Sequence, residues 1–156
     1  MKASLITLTL LITAAAMTYP VLAADEDDVR AEMLRFFNAL NTGDVDGFMQ
    51  HYLPGNTSFV SENTFLSRYD SLDDQRRSWK ATVDSGQKFS LQMTHLEIDI
   101  YLKSTAVVNC YVVGTATSPD GIVRQVNWQR SAVMIKQGNQ WQEVHHHRSP
   151  LRIPLR

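Results

Sequence analysis

Arg130 and Arg148 are two basic residues near the end of the sequence whose pairing depends on the turn between them. They fall on two consecutive predicted strands, which a turn beginning at Gly138 joins. A three-residue turn would set Arg130 opposite Arg148 in an antiparallel pair, whereas a two-residue turn would set Arg130 opposite His147. Two guanidinium groups that face each other in a partly dry cavity repel, so an anion or a protein carboxylate is expected between them.

A small carboxylate ligand meets that requirement, because its two oxygens can accept hydrogen bonds from a planar guanidinium group. The alternative is a structural ion pair, in which Arg148 binds a local acid such as Glu143 or Asp99 and takes up no ligand. The sequence leaves both interpretations open.

Consecutive histidines precede Arg148, and the alternation of a strand places His145 and His147 on one face. Two imidazoles so placed could share a zinc ion. No third ligand is evident nearby, so we interpret these histidines as ordinary members of a sheet. No metal or other cofactor is predicted.

The first half of the sequence has the periodicity of helices. Apolar residues recur at spacings of three and four, which predicts a helix over residues 27–41 with one apolar stripe. Gly43 ends that helix, and Asp44 caps a second helix whose apolar face includes Tyr52. A third helix is predicted over residues 71–84.

The second half of the chain changes to a period of two, which is typical of strands. The apolar phase slips near Thr94 and His95, and such a slip indicates a β-bulge that curves the sheet. A short strand is predicted over residues 58–60, and the tail from Pro150 is predicted to leave the sheet. The long strands of the predicted meander are 88–102, 105–117, 122–136 and 140–149.

Helices followed by an antiparallel meander predict an α+β fold, in which a curved sheet packs against the amino-terminal helices. The formal net charge of −1 offers no broad basic surface, so neither nucleic acid nor an anionic membrane is a predicted partner. Cys110 is the only cysteine, which excludes a disulfide within the chain.

The amino terminus has the pattern of a secretory signal peptide. Lys2 precedes an apolar run, and Val21 and Ala23 are the small residues that a signal peptidase needs. We expect cleavage after Ala23.

A membrane anchor over residues 3–24 is the alternative, since that stretch is long enough to span a bilayer. Pro20 and the acidic run that follows disfavour it. The predicted organisation is a signal peptide, residues 1–23, and one domain, residues 24–156, that is secreted or periplasmic and has no membrane contact after cleavage.

Three motifs resemble a known family. Residues 141–149 resemble the last strand of the association (hub) domain of calcium/calmodulin-dependent protein kinase II, with the pattern W-Q-x-V-H-x-H-R-S. Residues 41–44, with Phe48, resemble the hub's helix elbow, N-G-D-F, and residues 118–124 resemble its hairpin, D-A-G-G-I-P-R. The chain is thus similar to SnoaL-like proteins and hub domains of the nuclear transport factor 2-like superfamily.

The resemblance implies an open cone with a helix-lined pocket, and dimers or larger oligomers packed through sheet faces. Hub domains hold carboxylates with arginines from the last two strands, and Arg148 matches one of these. Ala132 occupies the position of the second, while Arg130 lies two residues earlier on the same strand face. Calmodulin signalling is not implied.

Some members of the superfamily are isomerases or cyclases, which pair a carboxylate base with acidic hydrogen-bond donors. The candidates here are Asp99, Tyr111 and Tyr52, although Asp99 has the opposite strand parity to its apolar neighbours. No motif joins the three.

These observations predict an exported, oligomeric, non-enzymatic module that binds a small anionic molecule. The alternatives are an isomerase, lyase or cyclase that uses the same pocket, and a pure oligomerisation module. Trp128 and Tyr52 could line the pocket, although aromatic residues at such spacings are often plain core. The predicted ligand-binding residues are Arg148, Arg130, His146, Trp128 and Tyr52.

Overall fold

The first helix, α1, spans Thr18–Thr42 in a computed structural model that describes residues 18–59, 67–68 and 71–151. Its apolar stripe, which includes Val29, Met33 and Phe36, is buried as predicted. The helix begins before residue 27, and Pro20 lies in its first turn. Proline is tolerated there because a backbone N–H in the first turn would have no acceptor within the helix. Pro20 therefore does not break this helix.

None of the described helices is both long and apolar enough to cross a membrane. The alternative anchor over residues 3–24 lies mostly outside the described residues, as does most of the predicted signal peptide.

Gly43 ends α1 with a φ of +72°, and Asp44 caps α2, Val45–Met49, by accepting a hydrogen bond from the Gly47 N–H at 2.9 Å. The prediction that α2 continues through Tyr52 is wrong. Tyr52 instead begins strand β1, Tyr52–Phe59, because the backbone after α2 pairs with the last strand.

Helix α3 spans Leu72–Asp84 and ends where the sequence predicted. Ser71 is its N-cap, and its hydroxyl accepts a hydrogen bond from the Asp73 N–H at 3.2 Å. The Trp79 ring packs on Phe48 of α2 at a centroid distance of 4.2 Å, so α3 covers the elbow between α1 and α2.

A sheet curves beneath the helices. Its long strands form the predicted antiparallel meander, and β1 adds to its far edge in parallel with β6. The parallel pairing was not predicted, and β1 begins six residues before the predicted strand at 58–60. The strands not yet given are β2 (Ser67–Arg68), β3 (Lys88–Tyr101), β4 (Thr105–Thr117), β5 (Val123–Gln137) and β6 (Gln140–Pro150), and the order is β2-β1-β6-β5-β4-β3.

The predicted bulge in β3 is confirmed. The register against β4 shifts between Thr94 and Glu97, and His95 has a φ of +52°. Opposite Leu91, Gly114 has a φ of +146°, and a Cβ added there would lie 2.0 Å from the Ser90 carbonyl oxygen. The chain needs a glycine at this close approach.

A second bulge sets the register of the two arginines. The β5–β6 turn has two residues, since Gln137 pairs with Gln140, and such a turn alone would have placed Arg130 opposite His147. Val144 is an extra residue in β6, because Val133 pairs with His145 whereas Met134 pairs with Glu143. Arg130 therefore lies opposite Arg148.

The tail does not leave the sheet at Pro150. Pro150 pairs with Trp128 at the end of β6, and the Leu151 N–H donates to the Asn127 carbonyl oxygen at 2.8 Å. Proline is tolerated because the strand ends there. Residues 152–156 lie outside the description.

Candidate functional site

A cavity of about 380 Å³ lies between the helices and the concave face of the sheet. Aromatic rings from α1, α2 and α3 form much of its wall, and strands β5 and β6 supply its charged side chains. All of the residues predicted to bind the ligand line this cavity, namely Tyr52, Trp128, Arg130, His146 and Arg148.

Behind that wall lies the Glu143 carboxylate, which is completely buried. It forms an ion pair with Arg130 Nη2 and lies 3.2 Å from His51 Nε2 and 2.7 Å from His146 Nδ1. A carboxylate can be kept charged in an apolar interior when several donors surround it in this way. Glu143 therefore connects two strands and the segment between α2 and β1.

Glu143 and Arg130 each favour the ionised form of the other. Burial alone raises the pKa of Glu143, but the Arg130 charge and the hydrogen bonds from His146 and His51 outweigh burial and hold this pKa well below its usual value. Burial likewise lowers the pKa of Arg130, and the Glu143 charge more than restores it. Both groups are ionised at neutral pH.

His51 bridges two carboxylates. Its Nδ1 lies 2.9 Å from Glu32 Oε1 and its Nε2 faces Glu143, so both ring nitrogens meet groups that only accept hydrogen bonds. Burial lowers the pKa of His51, but the hydrogen bonds and charge from Glu143, with Glu32, raise it overall. The imidazolium form fits this site, and Arg35 extends the network to the surface through Glu32 at 2.6 Å.

The pKa of His146 shifts in the opposite direction to that of His51. Burial lowers its pKa, and although Glu143 raises it, the charges of Arg130 and Arg148 keep the pKa below its usual value. His146 is thus neutral at neutral pH. Because the Glu143 carboxylate accepts at Nδ1, the proton is on Nδ1 and the lone pair is on Nε2.

Arg148 lies over an aromatic ring. Its guanidinium carbon is 4.3 Å from the centre of the Trp128 ring, which is a cation–π distance. Of the two acids named as examples of a structural partner for Arg148, Glu143 pairs with Arg130, and Asp99 is exposed on the opposite face of β3. A protein carboxylate thus pairs with Arg130.

Arg130 is itself deeply buried and only 6% exposed. Its Nη2 binds Glu143, while its Nη1 has no hydrogen-bond partner among the described residues. Arg130 thus lines the cavity and holds a buried, unused donor.

The predicted catalytic set is not assembled. Tyr52 lies in the cavity, whereas Asp99 and Tyr111 are exposed on the outer face of the sheet. Asp99 follows the parity expected of it, because its neighbours Ile98 and Ile100 point inward. The isomerase hypothesis based on these three residues is wrong.

His145 and His147 share a face of β6, as predicted, and both meet the Phe59 ring. His145 Nδ1 is hydrogen-bonded to Thr57 Oγ1 at 2.8 Å. Across residues 18–59, 67–68 and 71–151, no group of three or more acidic, histidine or cysteine side chains could hold a metal ion. Cys110 is buried, and burial raises the pKa of its thiol.

Sequence reasoning missed His51 and Glu32, and treated Glu143 only as a partner for Arg148. A signal existed for two of them. Glu32 adjoins Met33 on the apolar stripe of α1, and Glu143 has the same strand parity as the buried Trp141. Acids at apolar positions indicate buried partners. His51 lies between two elements and has no such periodic context.

A second cavity of about 570 Å³ lies at the elbow between α1 and α2, bounded by the start of β3. Its wall is largely apolar. Leu40, Phe48 and Trp79 line both cavities, so the two are neighbours separated by these side chains.

We expect Glu143→Gln to lower the free energy of unfolding by about 3–5 kcal/mol, because it leaves the Arg130 charge buried and unpaired. Urea denaturation measures this change. Glu97→Gln, on the exposed face of β3, is the matched control and should change stability by less than about 0.5 kcal/mol. Equal effects of the two substitutions would contradict this account.

Acid should act through the same carboxylate. A carboxyl group with a lowered pKa in the folded state stabilises fully above its usual pKa of 4.5 and loses that contribution as the pH falls. The free energy of unfolding should therefore decrease from about pH 5 to about pH 3 more steeply in the wild type than in Glu143→Gln. Parallel curves would count against the buried ion pair.

Comparisons place this geometry in a family. Residues 29–153 match the family model of the SnoaL-like domain. No match was found among curated proteins. The structure is similar to an NTF2-like protein of unknown function from Pseudomonas putida, with 16% identity and a TM-score of 0.67, over 81% of this chain and 87% of that chain.

Two further solved structures are similar. They are a ketosteroid isomerase-like protein from Erwinia carotovora atroseptica (14% identity, TM-score 0.66, 81% of this chain and 96% of that chain) and the association domain of C. elegans CaMKII (20% identity, TM-score 0.66, 81% and 96%). At these identities the similarity shows the fold alone. The family match covers most of the chain, and the chain therefore belongs to the SnoaL-like family, with the NTF2-like fold that its sequence motifs resemble.

Proposed function

We propose that this protein binds a small organic carboxylate in the cavity between its helices and sheet, with Arg148 as the principal anion-binding residue. One observation supports this most directly. Among the described residues, those lining the cavity include Arg130, His146 and Arg148, but no aspartate or glutamate. Within the described part of the chain, the charged groups of this wall are therefore the guanidinium groups of Arg130 and Arg148, and the Glu143 carboxylate lies behind the wall, bound to Arg130.

The Trp128 ring gives Arg148 a defined orientation. A guanidinium group that lies against an aromatic face keeps its N–H edge directed sideways, where it can bind both oxygens of a carboxylate. Arg130 Nη1 offers a further donor from the opposed position on β5. Placing an anion at Arg148 therefore relieves the repulsion between two cations without disturbing the Arg130–Glu143 pair.

The aromatic wall favours a ligand with an apolar body. Phe36, Phe48, Tyr52 and Trp79 also line the cavity. The Arg130 guanidinium carbon lies 5.5 Å from the centre of the Phe36 ring. Pockets of this type bind the apolar part of a ligand by burial and fix its orientation with a few polar groups. A carboxylic acid that carries one ring or a short chain fits a cavity of about 380 Å³.

Titration calorimetry with benzoate, phenylacetate and the neutral phenylacetamide tests the proposal. We expect the acids to bind and the amide to bind weakly. We expect Arg148→Ala to weaken acid binding by about 1.5–3 kcal/mol, or roughly 10- to 150-fold.

Arg30→Ala is the control for that titration, since Arg30 is an exposed arginine of α1 that does not line the cavity. Binding in Arg30→Ala should match the wild type. An Arg148→Ala variant that binds the acids as tightly as the wild type would overturn the proposal.

We also propose that the protein is exported and cleaved after Ala23. Cleavage there would leave Ala24 as the first residue and would preserve the ion pair of Asp25 with Lys136, which anchors α1 to β5. It would also place acidic residues in the first turn of the shortened helix, where the helix dipole favours them. We expect mass spectrometry of protein recovered from the periplasm or the medium to show Ala24 at the amino terminus. Recovery of intact Met1 only from the cytoplasm would contradict this.

Self-association is the third part of the proposal. It is supported by the similarity to the CaMKII association domain and by exposed large side chains on the sheet, including Tyr101 and Tyr111. Light scattering after gel filtration should give the mass of a dimer or a larger oligomer, and Tyr111→Asp should reduce it. A single-chain mass over a wide concentration range would contradict association.

A further inference from the structure

The Glu143–His146 pair has the arrangement of an oriented base. Glu143 Oε1 accepts the hydrogen bond from His146 Nδ1 at 2.7 Å, which fixes both the ring and its tautomer. His146 lines the cavity, its side chain is 13% exposed, and its Nε2 forms no hydrogen bond to another described residue. The nitrogen that carries the lone pair is thus the one left for a molecule in the cavity.

Glu143 can keep the His146 ring in this orientation because its own carboxylate is fixed by other side chains. Arg130 and His51 bind its other oxygen, Oε2, so Oε1 remains available to His146. The same cations favour an ionised Glu143, which accepts the Nδ1 hydrogen bond without taking the proton. In this arrangement Glu143 is a positioning residue.

The groups facing His146 also keep it in its basic form. They are Glu143 on β6, Arg130 on β5, Arg148 two residues along β6, and Tyr52, whose ring centre is 6.3 Å away. Burial and the two arginines lower the pKa of His146, so the imidazole stays neutral somewhat below pH 6.5. A general base must be unprotonated at the working pH.

Arg148 and His146 occupy alternate positions on the same strand face, so their Cα atoms are about 6.6–7 Å apart. A carboxylate bound at Arg148 would therefore present its next one or two carbons to His146. We propose that His146 is a general base that removes a proton from the carbon beside the carbonyl of a bound keto acid. This inference rests on the proposed binding of carboxylates at Arg148.

The step needs no cofactor. The C–H bond breaks as a new N–H bond forms at His146 Nε2, and the C–H electron pair forms a C=C bond while the carbonyl π pair moves to oxygen. Arg148 stabilises the enolate oxygen formed beside the carboxylate. Return of the proton from Nε2 to carbon regenerates the keto acid, and return to oxygen gives the enol, so atoms and charges balance in both directions.

Phenylpyruvate is a suitable probe, because it combines a carboxylate, a neighbouring carbonyl, an acidic methylene and a ring. In D₂O, loss of the methylene signal in the proton NMR spectrum reports proton removal followed by exchange at Nε2. We expect the wild type to exchange the methylene faster than buffer does. His146→Ala should exchange about 100-fold more slowly than the wild type, and added imidazole should restore part of the rate.

His147→Asn is the matched control, since this neighbouring histidine is exposed on the other face of β6, and it should exchange at the wild-type rate. The wild-type rate should also rise with pH along a titration whose midpoint lies below 6.5, a readout that needs no variant to fold. An exchange rate that is independent of pH, or equal in wild type and His146→Ala, overturns the role of His146.

Calorimetry with phenylpyruvate separates the two proposals. If phenylpyruvate binds through Arg148 but its methylene does not exchange faster than in buffer, the general base is overturned and the binding function stands. If phenylpyruvate does not bind, the proposed function is overturned and this inference with it.

Discussion

A single buried carboxylate organises the concave side of this molecule. Glu143 accepts hydrogen bonds from Arg130, His51 and His146, which come from β5, from the segment after α2, and from its own strand. Burying any one of these groups alone would be unfavourable, because each would lose water without gaining a partner. Together they form a closed set in which charges alternate from Arg130 to Glu32.

That network explains why the two arginines of the cavity have different roles. Arg130 forms an ion pair with Glu143. Arg148, opposite it in the sheet, lies over the Trp128 ring at the cavity surface. Arg130 belongs to the buried network, and Arg148 lines the cavity. The neutral state of His146 follows from burial, which lowers its pKa, and from the same positions, since a third positive charge beside two guanidinium groups is unfavourable.

Two irregularities of the sheet make the arrangement possible. The bulge at His95 curves β3 over the helices, and the extra residue Val144 moves the helix-facing positions of β6 from Trp141 and Glu143 to His146 and Arg148. Without Val144, Arg148 would have faced away from the cavity, because side chains alternate along a strand. Bulges beside functional sites commonly redirect side chains in this way.

The sequence alone determined the three helices and the curved meander of long strands, because hydrophobic periodicity and turn chemistry are local properties. The resemblance to hub domains pointed to five of the residues that line the cavity. The motif around Arg148 also predicted the family. The tertiary structure decided which acid pairs with which cation, since Glu143, His51 and Glu32 meet only across elements far apart in the chain. It also decided the register of Arg130 and Arg148. A two-residue turn alone would have placed Arg130 opposite His147, and the bulge at Val144, which no local turn signal predicts, places it opposite Arg148.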